Sequence, residues 1–282
     1  MHRRLFLTRR QLMAGAGIGL AAGLIGARPA AAQKVTDLEG FDPLWRSAEE
    51  LIEIFFGPVE FTHEGMHLDL PQHADIGSSV PLTLRFDSAM TEDDYPVVVH
   101  VVAHGNPGPH VLSAWFTPES GRGEFSTRIR LEISQTVTAV ARMSDGRHIR
   151  QDVDVSVSFG ACGQVGSGTN ADVMAFKPET RVSVPATAER GDVIPVRAVI
   201  SHPQETGMRR DPTLGWIDER FVSRFGCTYG GIEIFKVRLH PAVATNPYFS
   251  FFARAEESGK FHFSWYDMTD QTFTDEAAIL VT

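Results

Sequence analysis

From about residue 66 onward the chain alternates apolar and polar residues with period two, a pattern that suits strands and excludes long helices. Thr127 to Ile133 places Ile129, Leu131 and Ile133 on one face and Arg128, Arg130 and Glu132 on the other. Val153, Val155, Val157 and Phe159 alternate with Asp152, Asp154, Ser156 and Ser158. Val97 to Ala103 is nearly all apolar and predicts a central strand, while Asn106-Pro107-Gly108-Pro109 and Ser144-Asp145-Gly146 mark turns. About seven short strands within 66–159 predict an antiparallel β-sandwich. The second half has the same alternation in a different sequence. Ile194, Val196, Ala198 and Ile200 share one face, as do Phe261, Phe263 and Trp265. Further runs at 219–228, 232–239, 248–255 and 272–281 complete a second sandwich. The fold class is therefore all-β, with two β domains in 282 residues.

One helix precedes the strands. Asp42-Pro43 reads as an N-cap with proline in the first turn, and Leu44, Ala48, Leu51, Ile52 and Phe55 recur at helical spacing before Gly57-Pro58. The expected helix covers about 43–56 and packs on the first sandwich.

Residues 1–32 read as an export signal. Arg3, Arg4, Arg9 and Arg10 precede an uncharged stretch, Gln11 to Ala27, and Ala30-Ala31-Ala32 supplies the cleavage site. Thr8-Arg9-Arg10-Gln11-Leu12 fits a twin-arginine signal. The apolar run is shorter than the roughly 20 residues that a spanning helix needs, so no membrane attachment is expected after cleavage. The whole chain carries a net charge of −9, and removal of 1–32 leaves 21 Lys+Arg against 35 Asp+Glu, or −14. Such a balance argues against nucleic acid as a partner, and the expected location is the periplasm.

The 43% hydrophobic content excludes a disordered chain, and two cysteines are too few for a disulfide-stapled scaffold. Cys227 lies in an apparent strand between Phe225 and Tyr229, where a small thiol packs in a core. Cys162 is different. It follows Phe159-Gly160-Ala161 and precedes Gly163-Gln164-Val165-Gly166-Ser167-Gly168, a stretch with the composition of a flexible linker. We place the first domain at 33–159, the arm and linker at 160–177 and the second domain at 178–282. Small neighbours leave the thiol accessible, and no nearby cation in sequence lowers its pKa, so it reads as an attachment point that a partner activates. The alternative is an ordinary linker whose cysteine is idle or pairs with Cys227.

The second half resembles the Z subunit of the sulfur-oxidation (Sox) carrier. Ser201-His202-Pro203-Gln204-Glu205-Thr206-Gly207-Met208-Arg209, Arg224-Phe225-Gly226-Cys227-Thr228-Tyr229-Gly230-Gly231 and Leu239-His240-Pro241-Ala242-Val243-Ala244-Thr245-Asn246-Pro247-Tyr248 carry the likeness. Phe261-His262-Phe263-Ser264-Trp265 continues it. The first half resembles the Y subunit through its export signal, its helix, Asn106-Pro107-Gly108-Pro109, Phe125-Ser126-Thr127-Arg128-Ile129-Arg130-Leu131 and a final strand leading to a Gly-flanked cysteine.

That resemblance implies a fused YZ carrier of two immunoglobulin-like sandwiches that pack on each other. In the family a Gly-Gly-Cys-Gly-Gly arm holds thiosulfate-derived sulfur covalently and passes it between periplasmic haem, hydrolase and dehydrogenase partners. Cys162 matches the attachment cysteine, with Gly160, Ala161 and Gly163 as the arm. The role implied is non-catalytic, with no cofactor and no resident metal. Two departures stand out: Ala161 and Gln164 replace glycines, and the arm is internal instead of carboxyl-terminal. The fused form also resembles carriers associated with quinoprotein (pyrroloquinoline quinone) alcohol dehydrogenases and cytochromes. An accessory protein of such a dehydrogenase, with an incidental thiol, is the alternative reading.

Other constellations read as structural. His100, His104 and His110 cluster in sequence, as do His63 and His67, but neither group has carboxylate or thiol partners at ligand spacing. His202 and His240 each precede proline and suit turn or interface positions. Glu205 and Arg209, four apart, are placed to pair across a turn.

Overall fold

Ser47-Ala48-Glu49-Glu50 is a capping box, and it sets where the helix begins. The computed structural model describes residues 46–161, 168–211 and 215–282; the expected export signal and the Asp42-Pro43 pair lie outside them. In α1 (Ala48–Phe56) the Ser47 side chain accepts the Glu50 N–H, and the Glu50 carboxylate accepts the Ser47 N–H. Ser47 is extended, with φ −71° and ψ 160°, so the helix starts at 48 and not at the predicted 43. Gly57, with φ +69°, ends it as expected. Leu51, Ile52 and Phe55 face the core.

The first half supplies β1 (Met66–Asp69), β2 (His73–Ile76), β3 (Val80–Phe86), β4 (Pro96–Ala103), β5 (His110–Phe116), β6 (Glu124–Ile129), β7 (Gln135–Met143) and β8 (His148–Phe159). A short helix, α2 (Asn170–Ala175), follows. The second half supplies β9 (Thr180–Ser183), β10 (Thr187–Ala188), β11 (Val193–Ile200), β12 (Arg210–Asp211) and β13 (Gly215–Trp216). It continues with β14 (Val222–Tyr229), β15 (Ile232–Leu239), β16 (Tyr248–Arg254), β17 (Gly259–Asp267) and β18 (Thr272–Val281).

The fold is all-β, two immunoglobulin-like sandwiches whose layers run on from one half into the other. A ten-stranded sheet has the order β10-β18-β17-β14-β15-β5-β4-β7-β8-β2, and a six-stranded sheet the order β1-β3-β6-β16-β11-β9. Each contains strands of both halves. The predicted central strand is β4, flanked by β5 and β7.

One predicted strand is shorter than its alternation. β6 stops at Ile129, because the Arg130 N–H turns to the Ala242 carbonyl at 2.7 Å and the Leu131 N–H to the Gly77 carbonyl at 2.8 Å. Leu131 remains buried, whereas Ile133 is 55% exposed.

The halves are stitched at two seams. In the ten-stranded sheet β5 and β15 pair antiparallel, with Leu112 opposite Leu239, Ala114 opposite Val237 and Phe116 opposite Phe235. In the six-stranded sheet Ser126 of β6 faces Ser250 of β16. Arg130, buried from the first half, donates to the Gln204 carbonyl at 2.8 Å, the Pro241 carbonyl at 3.1 Å and Thr245 Oγ1 at 2.8 Å. Between the layers the Phe235 ring lies 5.1 Å from Phe116, 5.6 Å from Phe125 and 4.5 Å from Phe251, so the core is continuous across the join.

Since Phe235 is shared by both halves, Phe235→Ala is expected to cost about 3–5 kcal/mol and to leave one cooperative transition. Urea unfolding followed by circular dichroism and by tryptophan fluorescence checks this; two separated transitions would show that the halves unfold independently.

Candidate functional site: the arm between the halves

The arm starts where β8 runs out of core. Val155 is buried, Val153 and Val157 are half-buried, and Phe159 is 65% exposed. Three segments then close a ring of backbone hydrogen bonds. The Gly77 N–H donates to the Phe159 carbonyl at 2.7 Å, the Leu131 N–H to the Gly77 carbonyl at 2.8 Å, and the Ala161 N–H to the Leu131 carbonyl at 3.2 Å. The approach is tight: a Cβ on Gly160 would overlap the Glu132 carbonyl oxygen, and one on Gly77 the Leu131 carbonyl oxygen. Glycine serves here for close backbone approach and not for mobility.

Gly160 and Ala161, expected in the flexible arm, are thus its docked base. Ala161 is buried, so the methyl that departs from a glycine arm packs into that base. Cys162 and Gly163 lie outside the described residues.

The far end is docked as well, onto the second half. The Gly168 carbonyl accepts from Arg209 Nη1 at 3.1 Å, while Arg209 Nη2 pairs with Glu205 Oε2 at 2.9 Å, which is the predicted four-apart pair. Thr169 and Asp172 form a capping box at α2, and Asn170 exchanges hydrogen bonds with Asp218 through its Nδ2 and Oδ1. Arg220, fully buried, donates from Nη1 to the carbonyls of Val173, Met174 and Phe176 at 2.7, 3.0 and 3.0 Å. The Val173 carbonyl also accepts the Phe176 N–H at 3.4 Å, so Arg220 adds a second donor there and serves the other two carbonyls at the end of a short helix, where internal donors run out.

Arg220 is held in turn by Asp267, with Nε 3.3 Å from Oδ2. Burial pushes the Asp267 carboxyl up, but hydrogen bonds from Thr269, Gln271 and Arg220 outweigh it and keep the group below its ordinary range. His202 completes the network: its Nδ1 accepts the Gln204 N–H at 3.2 Å, and its Nε2 lies 3.7 Å from Asp267 Oδ2. Burial first, and then the Arg220 charge, push its pKa down to about 4, so the imidazole is neutral at pH 7. The proline after His202 signals a turn and nothing more; the Arg220–Asp267 partnership spans 47 residues and has no local signature.

The remaining predicted residues fall into the core and the join. Cys227 is buried, and burial pushes its thiol up, away from the reactive thiolate. His100 Nδ1 and His110 Nε2 both contact Ser113 Oγ, at 2.7 and 2.9 Å, and His240 stacks on His110 at 4.0 Å across the seam. Phe55 of α1 covers His100 at 4.0 Å. His104 instead bonds Thr138, His63 the Arg150 carbonyl and His67 Asp87. Among the described residues no three His, Cys, Asp or Glu side chains converge as a metal site.

Comparison with known families decides what the halves are. Residues 52–162 match the family described as sulfur oxidation protein SoxY, and residues 181–278 the family described as sulphur oxidation protein SoxZ. The chain thus joins a half similar to SoxY to a half similar to SoxZ. The SoxY match ends on Cys162, one residue past the docked Ala161. Solved structures with likeness include the sulfur carrier protein SoxY of Chlorobium limicola f. thiosulfatophilum, at 21% identity and TM-score 0.33 over 39% of this chain and 94% of that one. A superoxide reductase (neelaredoxin) variant of Ignicoccus hospitalis follows at 15% and 0.30, over 40% of this chain and 86% of that one. At these TM-scores neither bears on the site. No curated protein matches the chain.

Two predictions concern this site and its surroundings. Arg220→Ala strips α2 of its carbonyl partner and leaves Asp267 buried without its guanidinium, so it should cost about 3–5 kcal/mol and speed proteolytic cutting between 162 and 175. Thermal unfolding and limited proteolysis read both; unchanged cutting would mean that Arg220 does not anchor the arm. The second is a pH dependence. Burial, helped by Arg142 and His240 at His100 and by Arg238 at His240, pushes both histidines down to about 3, and burial also lowers His110. The unfolded chain takes up these protons below about 6.5, the folded protein only near the lowered values. Stability is therefore full above about 6.5 and falls by up to about 1.4 kcal/mol per pH unit per histidine as pH drops toward 3. Urea midpoints from pH 7.5 down to pH 4.5 check the slope, and His240→Phe should flatten it.

Proposed function

We propose that the protein is a periplasmic, non-catalytic carrier that holds a thiosulfate-derived sulfur intermediate covalently on Cys162 and presents it to partner redox enzymes. The observation that carries this reading is the coincidence at the end of the SoxY match: it closes on the cysteine directly after a residue docked in the fold. The sulfur-oxidation descriptions of both matched families support the role, and the twin-arginine-type signal at 1–32 supports the compartment.

Loading the thiol is an oxidation. Joining Cys162 Sγ to the outer sulfur of thiosulfate forms an S–S bond and releases the thiol proton and an electron pair, which a partner haem protein would accept. The protein contributes position, since the segment that carries the cysteine is tethered to the SoxY half at Ala161 and to the SoxZ half at Gly168. A partner must then admit a loop and not a free tip, which favours an open cleft over a narrow channel. The finer reading, service to a quinoprotein alcohol dehydrogenase, rests on the resemblance of the fused form alone.

Intact-protein and peptide mass spectrometry of protein purified from thiosulfate-grown native host tests the carrier role. Sulfur-containing mass increments on Cys162, absent from Cys162→Ser, are expected. A cysteine that is always unmodified, together with normal thiosulfate oxidation in the Cys162→Ser strain, would refute it; a defect confined to alcohol oxidation would point to the dehydrogenase.

A further inference from the structure

The outer face of the six-stranded sheet has the opposite charge to the chain as a whole. Its inner positions are apolar: Leu82, Leu84, Phe125, Ile129, Val196, Ala198, Phe249 and Phe251. Alternation turns the intervening residues outward, and pairing sets them in rows. Pro81, Arg128, Tyr248, Val199 and Arg181 lie along one row, the Arg128 guanidinium 5.8 Å from the Tyr248 ring centre. The next row is Thr83, Ser126, Ser250, Arg197 and Ser183. The third carries Arg85, Glu124, Phe252 and Pro195, with Arg122 4.4 Å over the Phe252 ring, and Arg254 stands beyond it.

The carboxylates on this face sit mainly at one side. Asp69 lies 3.7 Å from Arg85 and Glu124 lies 3.9 Å from Arg122, while Glu179 extends the β9 edge. Among the described residues Arg128, Arg181, Arg197 and Arg254 have no carboxylate within ion-pair distance, and the first three are exposed. This cationic field persists on a chain of net charge −9. Arg128 and Arg181 also occupy the end of the sheet nearest the arm, because Leu131, the residue that docks Ala161, follows Arg128 by three positions.

We infer that this face is a docking surface for an acidic patch on a protein partner, which it seats beside the arm; the link to the arm rests on the carrier reading, and the surface itself does not. Arginine beside tyrosine and phenylalanine, as with Arg128 and Tyr248 or Arg122 and Phe252, pairs residue types that are enriched in protein interfaces. Six strands about 4.8 Å apart, averaging about six residues, give a face of roughly 24 by 20 Å, the size of a transient contact. Nucleic acid fits less well, since Arg128 and Arg181 are only about 14 Å apart and the rest of the chain repels a polyanion.

The test is fluorescence anisotropy with a labelled oligoglutamate peptide at low ionic strength, using the full chain. Arg128→Gln/Arg181→Gln/Arg197→Gln should weaken binding about tenfold without altering the thermal midpoint, added salt should weaken the parent more than the triple variant, and Arg190→Gln elsewhere on the surface should change nothing. Phosphatidylglycerol vesicles and a single-stranded oligothymidylate are run in parallel. No peptide binding, equal binding by the triple variant, or a tenfold preference for vesicles or oligonucleotide would overturn the inference. Cys162→Ser should bind the peptide as the parent does, so loss of the carrier reading would leave this result standing.

Discussion

The pairing of β5 with β15 is the contact on which the rest of the architecture hangs. It turns what could be two small sandwiches into continuous layers, because each half lends an edge strand to the other and so hides a row of unpaired backbone groups. Phe116, Phe125 and Phe235 then meet as parts of a single core. Small sandwiches bury a smaller fraction of their surface than large ones, and joining them recovers that deficit without lengthening either half.

The seam also determines what the arm can be. With the halves fixed to each other, the two ends of the connecting segment are fixed as well: Ala161 by Leu131 on the SoxY side, Gly168 by Arg209 on the SoxZ side. Six residues, 162–167, bridge those points. The positions of both anchors therefore follow from the seam and not from the connecting segment itself.

Much of this is legible in the sequence, because alternation and capping are local. The strands β3, β6, β8, β11, β14, β16 and β17 follow the period-two pattern closely, and β4, nearly all apolar, carries the mark of a strand covered on both faces. The Ser47–Glu50 and Thr169–Asp172 boxes are equally local, although Asp42-Pro43 offers a competing start for the first helix and glycine-rich composition masks the second. Gly160 shows where local reading fails. A glycine next to a linker looks like freedom, and only the Glu132 carbonyl against its α-carbon reveals it as packing. Arg220, His202 and Asp267 are polar residues scattered in sequence whose burial depends on one another, which no window of sequence displays.

Charge follows the same division between local and global. A net charge describes long-range behaviour, and −9 keeps the chain apart from polyanions at distance. Contact is governed by the face presented, because charges farther apart than about 8–10 Å are screened at ordinary ionic strength. Alternation on five of the six strands sends arginine outward while the apolar partners turn in, so a cationic face arises from strands whose inner positions are dictated by the core. The acidic excess must then lie on the other surfaces. A partner with one acidic patch would be repelled from most orientations and held in one, and that orientation lies along the sheet whose end adjoins the docked base of the arm.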